Sequence, residues 1–421
     1  MQRDYSRLSG TVFDRKEMKN LKILVVGAGA LGNEIIKNLA LIGVGSMMIV
    51  DSDKVESSNL TRSILFCVPQ IAEHIRNGEP KASLAANRAK EINSDIVTES
   101  FVGEIADFGL GKIKEFDLVF SGLDNELARL ELSWACVSTN RLLVDGGLAF
   151  RNYSSGLVSV YPGANGPCYA CRKSRDRRSA LLTTLYGLKL PCAESELEAE
   201  ANDAITTTPL MASVVAAIQV EEGLRTFFNG DRAALEGHSL EVTLHPRPRL
   251  ERFSYSRSDT CPLHDMASES YAWDGKSATT TVTDLIDFVE DHERSECKPD
   301  RAQPSSDERS ECKPDRAQPS RKEKAKASLT LRWPIIVSAY CNACRKTWHP
   351  VIRAARFRRM ARCIHCGSKE VTEDQPLSKI DRESKWAHKT IAELGLPENH
   401  IHEFVIADNG HKRLTWVEIR D

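Results

Sequence analysis

Four polar side chains in the first third of the sequence have the chemistry to hold a nucleoside triphosphate. Asn59 supplies an amide, Arg62 and Lys81 supply cations. Asp124 supplies a carboxylate. A triphosphate that loses pyrophosphate needs cations on its phosphates and a carboxylate that holds magnesium. Each of these residues alone would be typical of a solvated surface or a turn. Together, after a nucleotide-binding loop, they favour ATP with Mg²⁺ over NAD.

A glycine-rich loop precedes these residues in the chain. An apolar strand at 23–26 leads into it, a helix at 31–42 follows it, and a second strand ends before Asp51. In such a unit the first glycine permits a tight turn, the second lets phosphate approach the backbone, and the third lets helix and strand pack closely. The acid accepts a hydrogen bond from a ribose hydroxyl. The glycines with this spacing are Gly27, Gly29 and Gly32.

The pattern of apolar residues predicts the elements that position this loop. Short apolar segments alternate with helical patterns, which indicates an α/β fold with a doubly wound, mostly parallel, Rossmann-like sheet. Strands are expected at 23–26, 47–50, 96–102, 117–120 and 142–145, and helices at 31–42, 81–92 and 126–137. Beyond residue 150, we expect antiparallel strands at 156–161 and 239–244 and a core helix at 209–225.

Four cysteines towards the end of the sequence have the spacing of a zinc ribbon. Each Cys-x2-Cys pair puts two thiolates on one tight turn, and two such turns close a tetrahedral shell of four sulfurs. A closed shell has no open coordination position, so this Zn²⁺ is expected to be structural. The basic segment between the pairs, with Arg353, Arg356, Arg358 and Arg359, could contact an acidic partner or RNA, but such a run is more often a solvated face and is interpreted in this way. The four cysteines are Cys341, Cys344, Cys363 and Cys366.

The motifs within roughly residues 1–265 resemble those of the ThiF/MoeB/HesA family of adenylyltransferases, which belongs to the ubiquitin-activating superfamily. The resemblance implies activation, by ATP and Mg²⁺, of the C-terminal glycine carboxylate of a ubiquitin-like or sulfur-carrier β-grasp partner. The matching segments are the glycine loop at 27–32, DSDKVESSNLTR at 51–62, Lys81, SGLDN at 121–125, GPCYAC at 166–171 and TTPLMASVVAAIQVEEGLR at 207–225.

The same resemblance implies a role for individual residues. Asp51 would hold the ribose and Asp124 the magnesium ion. In the family, an arginine of a Tyr-Xaa-Arg element reaches the ATP of the other subunit. The segment Tyr5-Ser6-Arg7 matches this element, which implies a homodimer with Arg7 acting across it. The residues that would hold the triphosphate are Asn59, Arg62 and Lys81.

Many relatives also hold zinc within the adenylation domain, between two Cys-x2-Cys pairs. The first pair here is Cys168 with Cys171, and the second half is Cys261 with His264. Zinc accepts the resulting shell of three cysteines and one histidine, so the chain is expected to hold one or two structural Zn²⁺ ions. The alternative is that His264 is an ordinary surface histidine beside a lost site.

The step after adenylation depends on a nucleophilic cysteine. In compact activating members this cysteine lies on a crossover loop after the first Cys-x2-Cys pair. The corresponding interval, 172–208, contains Cys192 alone. Its neighbouring glutamates would raise the pKa of the thiol, and it does not align position for position with the family's catalytic cysteine. Cys67 and Cys136 lie in apolar segments and are expected in the core.

Three functions remain open on the sequence. The first is an activating enzyme that forms a thioester at Cys192 and hands the acyl group to a conjugating enzyme. The second is an adenylyltransferase of sulfur-carrier metabolism or peptide modification, without a covalent intermediate. The third is an NAD-binding or catalytically silent scaffold, which has no need of the set Arg62, Lys81 and Asp124.

The 421 residues allow two or three domains. A polar unit of 13 residues at 293–305 recurs letter for letter at 308–320, a spacing of 15 residues, and such a duplication predicts disorder. The last module should contain a helix at 384–394 and a hairpin of strands at 403–406 and 414–419. The expected divisions are an adenylation domain at 1–289, a disordered linker at 290–328, a zinc ribbon at 329–374 and a small α+β module at 375–421.

Composition bears on location and partners. The formal charge of −2 predicts no general affinity for polyanions, so nucleic acid is not expected as a partner. The sequence contains no run of eighteen apolar residues, so no membrane span is predicted. Twelve cysteines, several in pairs and without a signal peptide, are typical of metal ligands in the reducing cytoplasm.

Overall fold

A computed structural model describes residues 3–11, 13–149, 154–185, 207–228, 237–265, 267, 269–296, 325–408 and 411–421. The chain divides into two compact units, Met1–Met266 and Ala267–Asp421. Each unit has its own sheet and its own hydrophobic core. Cys192 and most of the expected linker lie outside the described residues.

The first unit is built on one eight-stranded sheet. Its strands are β1 (Lys22–Val26), β2 (Ser46–Asp51), β3 (Val97–Val102), β4 (Leu118–Ser121), β5 (Leu142–Leu148), β6 (Ser155–Tyr161), β7 (Gly237–Thr243) and β8 (Arg249–Tyr255). Its helices are α1 (Arg15–Met18), α2 (Ala30–Ile42), α3 (Ile71–Asn77), α4 (Lys81–Ile92), α5 (Leu110–Ile113), α6 (Glu126–Ser138), α7 (Arg175–Leu185) and α8 (Pro209–Phe228).

The strand order in this sheet is β3-β2-β1-β4-β5-β6-β7-β8. The strands β1 to β5 are parallel to one another, and β6 to β8 continue the sheet with antiparallel pairing. Because parallel strands end at the same edge, the loops after β1, β2 and β4 meet there. The predicted doubly wound, mostly parallel fold is confirmed, and the predicted elements agree closely with the observed ones.

The glycine loop is anchored at both ends by the core of this unit. Ile23 and Val25 of β1 are fully buried, as are Ile35, Ile36 and Leu39 of α2. Burial of each such side chain stabilises the fold by roughly 1.5–3 kcal/mol. The loop between β1 and α2 therefore connects two elements whose positions are fixed by packing.

The second unit contains a six-stranded and a three-stranded sheet. Its strands are β9 (Glu269–Trp273), β10 (Lys326–Ile336), β11 (Ala339–Cys341), β12 (Thr347–Trp348), β13 (Ile352–Arg353), β14 (Val371–Glu373), β15 (Leu377–Ile380), β16 (Ile401–Asp408) and β17 (His411–Ile419). Its helices are α9 (Val282–Glu296) and α10 (Ala354–Met360).

The larger sheet of the second unit has the order β13-β10-β16-β17-β9, with β15 paired to β10. β9 pairs in parallel with the last strand of the chain, and α9 packs its apolar side chains into the same core. The division between the units therefore falls after residue 266, earlier than the boundary expected at 289. The helix α9 also extends to Glu296, into the segment expected as linker.

The hairpin of β16 and β17 forms with the expected antiparallel pairing. The helix expected at 384–394 is wrong, because this segment consists of turns. The N–H groups of Ile391 and Ala392 donate to the carbonyls of Thr280 and Ser277 at 3.0 and 3.1 Å. Tertiary backbone pairing thus replaces the bonds that a helix would make. Among the described helices, none has the length and apolar character needed to cross a bilayer.

Candidate functional site

The glycine loop is closed too tightly for side chains at two of its three glycines. Gly27 has φ of +93°, and a Cβ there would lie 2.8 Å from the carbonyl oxygen of Gly122. A Cβ on Gly32 would lie 1.8 Å from the carbonyl oxygen of Gly27. A Cβ on Gly29, by contrast, would meet no atom within 4 Å. The loop is therefore packed at its two ends and open at its centre.

Asp51 lies at the end of β2, directly beside this loop. Its carboxylate accepts hydrogen bonds from the N–H of Ala28 at 2.6 Å and of Asp53 at 2.7 Å. Burial raises the pKa of the Asp51 carboxyl above its usual value, and these two hydrogen bonds offset the effect only in part. The carboxylate that the sequence assigns to a ribose thus also holds the loop in place.

Lys81 reaches the same region from the start of α4. Its ammonium group pairs with Asp53 at 2.9 Å, and its backbone N–H donates to the carbonyl of Asp53 at 2.9 Å. The positive charge of Lys81 also opposes, in part, the rise in the pKa of Asp51 that burial causes. The structure therefore brings a cation and two carboxylates together at the end of β2.

The segment after β2 folds into a turn that fixes Asn59 and Arg62. The Asn59 amide oxygen accepts from the N–H of Glu56 at 2.9 Å, and the side chain is buried. Arg62 is half-buried and donates from its guanidinium to the carbonyl of Ser58 at 2.7 Å. Both residues are thus positioned by contacts within 56–62.

One residue that the sequence analysis missed connects the next 3-10 turn, Ile64–Phe66, to the glycine loop. Asn33, in the first turns of α2, donates from its amide nitrogen to the carbonyls of Ala28 and Gly29 at 2.7 and 3.1 Å. Its amide oxygen accepts from the N–H of Leu65 at 2.8 Å. An amide shortly before the apolar residues Ile35 and Ile36 of α2 was the signal that could have identified it.

Asp124 is exposed in the loop between β4 and α6. The neighbouring Asn125 caps α6 by accepting from the N–H of Ala128 at 2.7 Å. Behind the loop, Arg129 pairs with Asp145 at 2.7 Å and donates to the carbonyl of Leu123. This buried pair was also missed, because its partners lie on different elements and only the fold brings them together.

Arg7 lies in a single turn of 3-10 helix, Ser6–Leu8, and is exposed. Its guanidinium forms no ion pair with the described residues. Tyr5, by contrast, is held by a hydrogen bond from the amide of Asn93 at 2.8 Å and lies against Gly43. The turn that presents Arg7 is therefore fixed to the first unit, while the arginine itself points outwards.

Two clusters of side chains could hold a metal ion. In each of them the four ligand atoms all lie within 4.8 Å of one another. In the first, the sulfur of Cys171 lies 3.3 Å from Nε2 of His264, and Nδ1 of that histidine is buried without a hydrogen-bond partner in the described part of the chain. The clusters are Cys168, Cys171, Cys261 and His264, and Cys341, Cys344, Cys363 and Cys366.

The two other cysteines within the described residues differ in burial. Cys136 is buried in α6, as expected, and burial raises the pKa of its thiol. Cys67 was expected in the core, but it is exposed. Its backbone N–H closes a 3-10 turn whose apolar side chains, Leu65 and Phe66, occupy the core in its place. The apolar character of the segment around Cys67 comes from its neighbours and not from the cysteine, so the segment predicted a buried position wrongly for the thiol.

A cluster of charged side chains fixes the start of helix α7. Glu126 accepts a hydrogen bond from Tyr169 at 3.0 Å and pairs with Lys173 and Arg177. Burial raises the pKa of the Glu126 carboxyl, but its bonds to the two cations prevail and lower it to about 2. The helix α7 is thereby fixed to the N-terminus of α6, close in sequence to Asp124.

Comparison with known proteins gives one family and several partial relatives. The model described as "ThiF family" matches residues 5–263. SUMO-activating enzyme subunit 2 of Dictyostelium discoideum is 35% identical over 39% of this chain and 24% of its own length. Adenylyltransferase and sulfurtransferase UBA4 of Candida albicans is 33% identical over 38% of this chain and 35% of its own.

The sulfur carrier protein adenylyltransferase of Thermus thermophilus is 32% identical over 37% of this chain and 57% of its own. The chain thus spans well under two thirds of the length of these relatives. Among solved structures, a crystal structure of E. coli MccB with ATP has a TM-score of 0.49 and 19% identity. It covers 63% of this chain and 74% of its own.

Proposed function

Because the chain belongs to the ThiF family, we propose that it is an ATP-dependent adenylyltransferase that activates the C-terminal carboxylate of a ubiquitin-like or sulfur-carrier protein. The observation that carries this proposal is the meeting of the open glycine loop, Asp51 and Lys81 at one edge of the parallel sheet. This edge is where nucleotides bind in sheets of this kind.

The residues of this edge divide the work of the reaction between them. Asp51 binds the ribose, and the backbone N–H groups at the start of α2 face the phosphates. Lys81 exchanges its contact with Asp53 for one with the triphosphate, and Arg62 adds a second cation. Asn59 orients the phosphates. This positive charge stabilises the negative charge that develops as the carboxylate of the partner attacks the α-phosphate and pyrophosphate leaves.

Asp124 is the residue that we assign to magnesium. Its carboxylate is exposed at the end of β4, next to the glycine loop that packs against Gly122, and carboxylates are ligands that Mg²⁺ prefers. When bound, the ion neutralises the leaving pyrophosphate. The protein contributes the position of the carboxylate, which the capped helix α6 and the pair Arg129–Asp145 hold in place.

The functions of the relatives support the class of partner. One relative is a SUMO-activating subunit, and another adenylates a sulfur carrier protein. Both partner classes present a C-terminal carboxylate to the enzyme, which is the group that the proposed chemistry requires. An NAD-binding or silent scaffold accounts for the glycine loop but leaves Arg62, Lys81 and Asp124 without a role.

The fate of the acyl-adenylate separates two versions of this function. In the first, the acyl group moves to Cys192, with release of AMP, and then to a conjugating enzyme. In the second, the enzyme stops at the adenylate, as in sulfur-carrier metabolism or peptide modification. The single cysteine within 172–208 supports the first version, and its acidic neighbours support the second.

We also propose that both four-residue clusters hold structural Zn²⁺ in a cytoplasmic protein. The ligand atoms of each cluster are already gathered within 4.8 Å, and zinc accepts both donor sets. Nε2 of His264 lies 3.3 Å from the sulfur of Cys171, which fits a histidine that completes the shell through this nitrogen. A homodimer in which Arg7 reaches the ATP of the partner subunit completes the proposal.

The experiment that tests the function combines the chain with a β-grasp protein that ends in glycine. With this partner and ATP-Mg, we expect exchange of pyrophosphate into ATP, and Asp124→Ala should abolish it. The matched control is Asp274→Ala, at an exposed aspartate of the second unit, which should retain full exchange. Exchange that survives in Asp124→Ala would contradict the magnesium assignment.

A non-reducing gel then separates the two versions. A thiol-sensitive adduct between chain and partner that disappears in Cys192→Ala establishes the thioester. Pyrophosphate exchange without an adduct establishes an enzyme that only adenylates. The control variant is Cys67→Ser, because Cys67 is an exposed cysteine outside both metal clusters.

A further inference from the structure

The three-stranded sheet of the second unit carries a surface that the proposed adenylation does not use. Two turns, 341–346 and 363–368, bring the four cysteine sulfurs within 4.8 Å of one another. The N–H of Cys341 donates to the carbonyl of Lys346 at 2.9 Å, and that of Cys363 to the carbonyl of Ser368 at 2.8 Å. Both turns are therefore closed and rigid around the cluster.

Four cations flank these turns, and we call them the basic end of the ribbon. All four are exposed, and none forms an ion pair with the described residues. The N–H of Asn342 donates to the carbonyl of Glu370 at 2.8 Å, which joins the first turn to the strand that follows the second. The four residues therefore lie around one small surface. They are Arg345, Lys346, Arg362 and Lys369.

The local charge is opposite in sign to that of the whole chain. Residues 339–374 contain eight lysines and arginines against three acidic residues, and a Zn²⁺ held by four thiolates would add −2, which leaves a formal charge of +3, whereas the whole chain has a formal charge of −2. One of the three acids, Glu373, is already paired with Arg358. The near-neutral total therefore conceals a concentrated positive surface, and the expectation of no polyanion affinity does not extend to this part of the molecule.

Apolar and aromatic groups are exposed among these cations. Ile364 is 70% exposed, Met360 is 65% exposed, and Tyr340 is 38% exposed. His365, in the second turn, is also exposed. Cations that track phosphates, combined with rings on which bases stack, are the recurrent features of sites for single-stranded nucleic acid. Protein interfaces share the enrichment in arginine, tyrosine and methionine but are depleted in lysine, and two of the four cations here are lysines.

We propose that the basic end of the ribbon binds single-stranded nucleic acid. Its cations contact the phosphates, and Tyr340 provides a face on which a base stacks. Ile364 and Met360 cover the adjoining base. This surface lies wholly within the second unit, so the proposal is independent of the adenylation reaction.

The test measures fluorescence anisotropy with the full chain and labelled single-stranded RNA and DNA of about 12 nucleotides. We expect micromolar binding, on the order of 10⁻⁴–10⁻⁶ M, that weakens steeply between about 50 mM and about 200 mM salt. Comparison of the RNA and DNA probes identifies which of the two sugars is preferred. A labelled poly-glutamate peptide of similar length represents an acidic protein partner.

Two pairs of variants decide the result. The double variant Arg345→Gln with Lys369→Gln should reduce the slope of log affinity against log salt concentration by about 1.4 in magnitude, since each lost phosphate contact contributes about 0.7. The matched control removes two exposed lysines of the larger sheet, Lys379→Gln with Lys412→Gln, and should leave the plot unchanged. Tyr340→Leu should weaken binding about fivefold or more, whereas Tyr340→Phe should not.

Three outcomes would overturn the proposal. One is an absence of RNA and DNA binding by the intact chain. Another is an equal loss of binding in the ribbon pair and the control pair. The last is binding of poly-glutamate that is as tight as that of RNA and that the same variants abolish. This result would assign the surface to an acidic protein.

Discussion

The guanidinium of Arg129 pairs with Asp145 at 2.7 Å and also donates to the carbonyl of Leu123, so that one buried ion pair supports the loop that presents Asp124. The side chains of the pair are 14% and 4% exposed. Arg129 lies on α6 and Asp145 on β5. The pair thus ties a helix, a strand and the candidate magnesium loop to one another.

Removal of the arginine should damage both stability and activity. In Arg129→Met, Asp145 remains buried without its partner, which costs about 3–5 kcal/mol. Arg129→Met with Asp145→Leu removes both charges and should regain most of this stability in urea unfolding. Pyrophosphate exchange should stay low in the double variant, because the Leu123 carbonyl has still lost its donor. Full recovery of exchange would reduce the pair to a purely structural role.

Gly29 and Gly32 should respond differently to an added methyl group. The backbone of Gly29 is extended, with φ of −70°, and a Cβ there meets no protein atom within 4 Å. Gly29→Ala should therefore keep the melting temperature of the wild type while raising the KM for ATP. Gly32→Ala should lower the melting temperature, because its Cβ would lie 1.8 Å from the Gly27 carbonyl oxygen. An unchanged KM in Gly29→Ala would mean that phosphate does not approach this glycine.

Metal content should follow the two clusters independently. Mass spectrometry of the purified chain should find two zinc ions per chain, and Cys168→Ser and Cys363→Ser should each reduce the count to about one. Cys67→Ser is the matched control, since this cysteine belongs to neither cluster. A count of one zinc that is unaffected by Cys168→Ser would remove the site that includes His264.

Acid should destabilise the second unit through a buried histidine. Burial lowers the pKa of His402 to about 4, from an ordinary value of 6.5. The unfolded chain therefore takes up a proton that the folded chain refuses as the pH falls from 6.5 towards 4. This histidine therefore leaves the free energy of unfolding undiminished above pH 6.5 and lowers it progressively as the pH falls from 6.5 towards 4.

We expect His402→Phe to reduce the slope of unfolding free energy against pH in this window, as measured by urea unfolding. His411, which is exposed, provides the matched control, and His411→Phe should keep the slope of the wild type. Equal slopes in the wild type and His402→Phe would show that this group does not control the acid response.

Subunit mixing tests whether Arg7 acts across a dimer. Arg7→Ala and Asp124→Ala subunits should each be inactive alone. Mixed together, they should recover part of the activity, because a hybrid dimer contains one site with both groups intact. If hybrid dimers form and no activity returns, Arg7 lies outside the active site.

Local patterns predicted the first unit well because its elements are long and strongly periodic. The strand–loop–helix unit around Gly27 is determined by residues close in sequence, and its geometry needs no distant partner. The pair Arg129–Asp145 and the bridging role of Asn33 depend on contacts between elements, which periodicity does not encode. They became visible only with the fold.

The errors in the second unit have the same origin. The segment 384–394 has helical spacing, but the carbonyls of Ser277 and Thr280 capture its backbone N–H groups. β9 follows the first unit directly in sequence, yet it pairs with the last strand of the chain. No local signal identifies a strand partner about 145 residues away, so the expected boundary fell too late in the chain.

The central claim is that the chain joins AMP to the C-terminus of a partner protein. The most direct measurement uses the Cys192→Ala variant, in which both versions of the function stop at the acyl-adenylate, and incubates it with Mg²⁺, β-grasp partner and ATP labelled at either the α- or the γ-phosphate. We predict that α-label appears on the partner, in a bond that hydroxylamine cleaves, while γ-label leaves as pyrophosphate. Transfer of the γ-label to the partner, or no transfer of either label, would contradict the account.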